Sequence, residues 1–528
     1  MSTLENSTTP IKVLVKGLTN EEINSVRRYL NCFDEIFGNT KTKTANLFDL
    51  VISEEILTDE EIMFNIYSNT ASIEAFDKLS KRLVEKIHEC LLLDINVERK
   101  DAYPDYVKAT IDVRKKIMQA HILLGRALTK DINGFYDKII IKAKKFELYS
   151  ELVEVLHLKQ MYLGLRNGSV EYNKIGEEIV FYENCRVASY KACDAYYKFV
   201  VNNDFSSINK VDIGRLEEFI MELKGLYTLT NSANVGYFLF LMEFELFQKK
   251  GLYEEAKSSC LKLVELIQEN PAIYQKRRLG SAFVNLSINE LHTYDFKASG
   301  LHARLAQDYF NKNTINHGIA KETEFYSYFF QGDLDKADSV INSLLKETNS
   351  DSEFLESKRS FLAANVAFLM NEKKNINLLL NETNAVSKDK EGWNIGIRIL
   401  SIMSQIEAGV NDPAEAQVES MRKHIERTMK DKDVRGRDVT ILRILNELVN
   451  QSFDFAAVWK SRKQLFDQLA SEDKDQRWEM DSHELIIFHE WFKSKVFGTV
   501  YPAKIENSPK VVVAMEEEFA LLSKVGSN

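Results

Sequence analysis

The sequence predicts an all-α protein: an α-solenoid of about eight to nine helix pairs with a period of ~40 residues, preceded by a small helical N-terminal module. Three observations carry this reading. The 528 residues hold only 6 prolines and 21 glycines, and scarcity of the residues that punctuate turns favours long helices with short connections. Apolar residues recur at steps of three and four and not two. A short turn pattern returns at near-constant spacing. At 45% hydrophobic and 28% charged residues the chain is globular in composition, and it is several times longer than a typical domain of ~150 residues.

Taken in order, residues 1–10 are polar. Thr19 with Glu22 and Thr58 with Glu61 have the spacing of a capping box, in which each side chain satisfies an N-terminal amide of the helix it opens. From Ser72 to Leu93, Ile73, Phe76, Leu79, Leu83, Ile87, Cys90 and Leu91 lie on one helical face. Val97 to Pro104 is a charged break ending in proline. These features delimit an N-terminal module of residues 1–100 and an array of residues 105–500. The stretch 501–528, with Pro502 and Pro509, reads as a tail or a short capping helix, with Val511 to Leu522 as the helical candidate.

The array is read from its turns. Gly251-Leu-Tyr-Glu-Glu-Ala256 and Gly332-Asp-Leu-Asp-Lys-Ala337 each precede an amphipathic helix, and Gly134-Phe-Tyr-Asp-Lys138 is a degenerate third copy. Tyr136 and Tyr253 are 117 residues apart, three units of 39, and Tyr253 and Leu334 are 81 apart, two units of about 40. The intermediate marks fall on Tyr294-Asp-Phe296, Asn371, Asn411 to Ala416 and Ser452 to Ala456, while those near 175 and 214 are poorly defined. Glycine permits the left-handed backbone that ends a helix, and the small residues Ala256, Ala337 and Ala416 are expected where two helices cross. Asn270-Pro271 and Asp412-Pro413 read as helix starts with proline in the first turn.

The glycine, tyrosine and alanine of residues 251–256, echoed in 332–337, resemble the second half of a tetratricopeptide repeat. The period is longer than the family's 34 and the Trp-Leu-Gly-Tyr signature of its first helix is missing, so the likeness is to a variant with helices about one turn longer. The chain also resembles large helical-repeat proteins found chiefly in Bacteroidetes, on Leu18-Thr19-Asn20-Glu21-Glu22, on Gly134 to Ser150 and on the aromatic segment Leu485 to Val496. Both resemblances imply fold. The first also implies that the first helix of each pair lines the concave face, which makes Glu245, Lys249, Tyr326, Phe329, Arg359, Arg398 and Gln405 the candidate partner-binding residues.

Charge and motifs narrow the function. A net charge of −10 disfavours general affinity for nucleic acid or anionic membrane. Between Ser72 and Cys90, Lys78, Lys81, Arg82 and Lys86 are balanced by Glu74, Asp77, Glu85 and Glu89, so the helix has no net basic character for DNA recognition. Five cysteines, without a C-x-x-C pair, suit reduced thiols and the cytoplasm. No signal peptide or ~18-residue apolar run occurs. Glycine-rich phosphate loops and nucleophile elbows are missing. His483 and His489, six apart, would sit ~240° from each other on a helix, which defeats a zinc reading. The density of aromatics in Phe325, Tyr326, Tyr328, Phe329 and Phe330 leaves room for an outward-facing anchor.

The expectation is therefore a non-enzymatic, cytoplasmic scaffold or adaptor for a protein or peptide, with no cofactor, no metal, no nucleic-acid partner and no membrane insertion. The alternative is a ligand- or peptide-responsive regulator whose N-terminal module contacts DNA or a partner.

Overall fold

The computed structural model describes residues 9–32, 41–53, 58–68, 72–93, 103–128, 130–202, 213–347, 353–381, 383, 393–428, 434–480 and 482–505. Among the described residues there are twenty-four helices and no strand. None of the helices is long and apolar enough to cross a membrane. The chain divides into two compact units, Met1–Pro104 and Asp105–Asn528. The expected break at Val97 to Ala102 and the helix expected at Val511 to Leu522 lie outside the described residues.

The first unit holds α1 (Thr9–Lys16), α2 (Asn20–Asn31), α3 (Lys43–Ile52), α4 (Asp59–Tyr67) and α5 (Ile73–Leu93). Both capping boxes are made: the Thr19 amide donates to Glu22 Oε2 at 2.7 Å while the Glu22 amide donates to Thr19 Oγ1, and Thr58 and Glu61 repeat the exchange. The periodic face of α5 is the core of the unit. Phe76, Leu79, Leu83, Ile87 and Cys90 are buried against Ile11, Val26, Leu30, Leu47, Phe48 and Ile62, whereas Ile73, at the helix start, is exposed.

The second unit opens with α6 (Asp105–Gly125), α7 (Ile132–Lys145), α8 (Tyr149–Asn167), α9 (Ser169–Asn202) and α10 (Ile213–Thr230). Six helix pairs follow, with second helices of 7 to 18 residues. They are α11 (Ala233–Lys250) with α12 (Tyr253–Glu269), α13 (Lys276–His292) with α14 (Phe296–Asp308), and α15 (Ile315–Gln331) with α16 (Leu334–Leu345). Then come α17 (Glu353–Leu369) with α18 (Lys373–Asn381), α19 (Trp393–Glu407) with α20 (Asn411–Thr428), and α21 (Gly436–Asn450) with α22 (Phe455–Ser461). The short α23 (Lys463–Leu469) and α24 (Phe488–Phe497) end the unit. From α6 to α21 each helix packs chiefly on its chain neighbours, as in an α-solenoid, whereas α24 packs on α22.

One backbone device joins each of these pairs. Gly251, Tyr294, Gly332, Asn371, Gly409 and Ser452 all have positive φ. The following amide in each case donates back to a carbonyl five residues earlier, from Leu252 to Phe247 at 2.9 Å through Phe453 to Leu448 at 2.8 Å. This closes the first helix and reverses the chain. Three of the six are not glycine, which is why the turn is only partly legible in the sequence.

In five of the six pairs, counting five residues on from the left-handed residue reaches a buried side chain at the crossing, Ala256, Ser299, Ala337, Ile376 and Ala414, and in the sixth it reaches the half-buried Ala457. Ala416 is exposed; the expectation was two residues late because Gly409, and not Asn411, is the residue with positive φ. Gly134 lies inside α7, and the left-handed residues flanking that helix are Asp131 and Glu147. The 39-residue spacing does not extend there, because α9 runs unbroken for 34 residues across the mark expected near 175. Asn270 closes α12 and Pro271 begins an intervening turn, with α13 starting only at Lys276.

The C-terminal part folds back along the array. Trp478 meets the Phe330 ring edge-on at 5.8 Å, the Ile505 amide donates to Phe330 O at 3.0 Å, and a Cβ on Gly332 would meet the Lys504 amide nitrogen at 3.2 Å. One core cluster thus runs from Leu291 to Phe492, with Tyr501 and Ile505 packed against it.

Candidate functional site: the face of the first helices

Consecutive first helices touch, α13 against α15 and α17 against α19, and no comparable contact joins consecutive second helices among the described residues. Burial follows: α13, α15 and α17 each bury ten of seventeen residues, whereas α16 buries three of twelve. The first helices line the interior of the array.

These inner helices carry buried carboxylates, each matched from a neighbouring helix. Glu243 pairs with Lys224 at 2.8 Å, Glu290 with His302 at 2.7 Å, and Glu322 with Lys358 at 2.7 Å. Glu324 accepts from Gln307 at 2.8 Å. Leaving such a charge unpaired in a buried site is costly, so the ladder fixes which helices are neighbours.

Glu245 breaks this rule. It is half-buried on α11, and among the described residues it has no hydrogen-bond or ion-pair partner. Burial raises its carboxyl above the usual range, with Lys249 one turn on opposing that rise. Its charge in turn helps burial to raise the Tyr196 hydroxyl of α9. Tyr196 packs on Phe238 at 5.5 Å and edge-on to Tyr197 at 5.7 Å. Beside it, the Arg278 guanidinium of α13 lies 4.3 Å over the Tyr237 ring of α11. Arg278 is also near enough to Tyr106 of α6 and Cys193 of α9 to oppose the rise that burial imposes on both groups. Four helices therefore bring one arginine and three tyrosines (106, 196 and 237) near one another, with Glu245 beside Tyr196. A carboxylate among aromatic rings accepts a cation, and a guanidinium on a ring accepts a carboxylate or a second ring. Tyr106, Tyr196, Tyr237 and Arg278 give no sequence signal, since they come from different helices at irregular separations.

The seven predicted residues divide. Glu245 and Lys249 lie on this face, with Lys249 exposed, and Tyr326 is half-buried, its ring parallel to that of Phe330 at 6.0 Å. Gln405 is half-buried with its Oε1 enclosed and without a hydrogen-bond partner. Phe329 is not available to a partner: at 2% exposure it is core, stacked on Phe325. Arg359 is likewise buried, donating to Leu344 O and lying near Glu322. Arg398 is half-buried and donates to Asn394 and, at an exposed contact, to Ser420 of α20. Positions three and four apart share a helix face, and on helices packed on several sides the face carrying Phe329 and Arg359 is core, so the longer repeat shifts the register for these two.

Other sequence features are structural. Of the aromatic run, Phe325, Phe329 and Phe330 are core, while Tyr328 accepts from Arg304 at 2.6 Å. His483 and Glu484 precede α24 and do not share its helix. Glu484 forms a bidentate pair with the fully buried Arg437, at 2.6 and 2.8 Å, and Arg437 also donates to His489 Nδ1 at 3.2 Å. His483 pairs with Asp438 at 3.2 Å. Among the described residues no group of three histidine, cysteine or acidic side chains could hold a metal ion.

No family model matches the chain and no curated protein matches it. Among solved structures it is similar to a signal transduction ATPase with numerous domains carrying a tetratricopeptide repeat sensor, from Pyrococcus horikoshii. The identity is 11% and the TM-score 0.37, over 80% of this chain and 72% of that one. Similarity at this level bears on neither activity nor partner.

Proposed function

We propose that the chain is a non-enzymatic scaffold or adaptor that takes a protein or peptide segment along the inner face of its first helices. The observation that carries this reading is Glu245: a carboxylate raised by burial, left without a partner on a helix row whose other buried acids are all matched. A basic side chain of the partner would complete that row, with Tyr196 and Tyr237 as flanking rings and Arg278 holding the partner's register. Aromatic and arginine side chains dominate the energetics of such contacts. The dispersed free cysteines fit a reducing compartment, and we place the protein in the cytoplasm on that ground.

The test is affinity capture from native cells with partners identified by mass spectrometry, repeated with Glu245→Gln combined with Tyr237→Ala. Partner recovery should fall at least tenfold while the variant keeps its helical circular dichroism. Full recovery by the folded double variant removes the site from this face.

A further inference from the structure

The helix α5 carries equal numbers of acids and bases along its sequence, yet the fold sorts them. Lys78, Arg82 and Lys86, at positions i, i+4 and i+8, form one stripe, and the stripe faces the N-terminus of α3. Between the two helices is an open cavity of about 620 Å³ lined by Lys41, Thr42, Lys43 and Thr44 on one side and by Lys78, Arg82 and Lys86 on the other. Leu30, Ala75 and Leu79 form an apolar floor beside Tyr67. No acidic side chain lines it.

Three of the five cations are held in place by neighbours. Lys41 pairs with Asp49, Lys43 lies 4.0 Å over the Tyr67 ring, and Lys86 pairs with Glu89 at 2.6 Å. Lys78 and Arg82 are exposed and have no hydrogen-bond, ion-pair or ring partner among the described residues. Like charges converging on one cavity repel unless an anion sits between them. The positive end of the α3 dipole points the same way: its first residues, Lys43 and Thr44, line the cavity, while Thr42 Oγ1 takes the Ala45 amide. In a chain of net charge −10 this is a local inversion of the prevailing field.

We propose that this cavity is a binding site for a small organic polyphosphate of nucleotide size. Lys78, Arg82 and Lys43 would take the phosphates at the α3 N-terminus, and the Leu30, Ala75 and Leu79 floor the apolar body. The volume exceeds what one inorganic phosphate fills and matches that of small-ligand sites. A recess also suits a compact ligand better than a duplex, whose phosphates are reached by protruding surfaces that follow a groove. The site lies in the first unit and is independent of the partner face proposed for the second.

The experiment titrates the full chain calorimetrically with ATP, with inorganic pyrophosphate and with a 20-base-pair DNA duplex, each without added metal. ATP should bind one per chain, more tightly than pyrophosphate, and with an affinity that falls as salt rises. Lys78→Ala with Arg82→Ala, both at exposed positions, should weaken ATP at least tenfold with the melting midpoint of the free protein unchanged. Lys81→Ala, on the same helix but outside the cavity, should leave it unaltered. The assignment is overturned if no ATP binding is detected, if Lys81→Ala weakens binding as much as the double variant, or if the duplex binds more tightly than ATP and displaces it. Retention of full ATP affinity by the double variant overturns it as well.

Discussion

Glu147 caps a helix that begins 86 residues further along the chain. Its Oε1 accepts the Ala233 amide at 2.6 Å, and its Oε2 accepts from the Asn234 amide at 3.0 Å and the Ser232 hydroxyl at 2.8 Å. Ser232 stands at the N-cap of α11 yet makes no side-chain cap of its own. The carboxylate supplies what that helix end lacks, and it favours the positive end of the dipole. Glu147 itself adopts φ 49° to turn the chain between α7 and α8, so one residue serves as turn and as cap.

Glu147→Ala should therefore lower stability by about 1–3 kcal/mol, since buried amides lose a charged acceptor. Glu147→Gly relieves the strained backbone but loses the same cap, and should recover only part of that loss. Urea midpoints of the two variants decide it; equality with the parent would show that the cap contributes nothing.

The helix crossings give a position-resolved test. Ala337 and Ala414 are fully buried five residues after Gly332 and Gly409. Ala337→Leu and Ala414→Leu should each destabilise by about 1–3 kcal/mol through overpacking. Ala416→Leu, at an exposed position, should change stability by less than about 0.5 kcal/mol. A reversed order for 414 and 416 would place the register two residues later.

In a pure nearest-neighbour array, removing the C-terminal strap would have only local effects. Here Tyr501 accepts the Ile487 amide at 3.0 Å and Ile505 bonds to Phe330, 175 residues away in the chain. Truncation after residue 498 should thus lower the melting midpoint and speed hydrogen exchange in α15 as well as in α24. Tyr501→Phe alone should cost about 1 kcal/mol by leaving a half-buried amide without its acceptor. Unchanged exchange in α15 would dissociate the strap from the array.

The Arg437 cluster sets the acid limit. Burial, with the Arg437 charge second, lowers His489 to about 4, and Glu484 is held below the usual carboxylate range by Arg437 against the opposing effect of burial. Both groups bind protons more readily when unfolded than when folded, so stability rises with pH across the interval between the two values. For His489 the contribution is whole above the unfolded value near 6.5 and is lost as pH falls from there towards 4; for Glu484 the loss comes lower, below the ordinary carboxylate value. The melting midpoint should drop between pH 6.5 and 4, and His489→Gln should flatten the upper part of that decline. A parent midpoint independent of pH over this range would refute the linkage.

Much of the architecture follows from local chemistry. Turn residues, capping boxes at Thr19 and Thr58 and the apolar stripe of α5 act within one or two helical turns, so they are visible in the chain itself. The repeat is followed through Gly251 and Gly332, and through Tyr294, Asn371 and Ser452 by interpolation, because successive turns recur at near-constant spacing although the helices between them differ in length.

What a surface does is settled between helices. Phe329 and Tyr326 are three residues apart, yet one is core and the other half-buried, since α15 is packed on several sides at once. Lys78, Arg82 and Lys86 cancel against acids when counted along α5; only the approach of the α3 N-terminus makes them one cationic recess. The same holds for Glu245, whose lack of a partner depends on which side chains α9 and α13 bring to it. The sequence by itself determined helices, turns and their period through short-range forces; tertiary packing alone decided which charges are matched and which are left to a ligand, because Coulomb and desolvation energies depend on distances that only the folded chain defines.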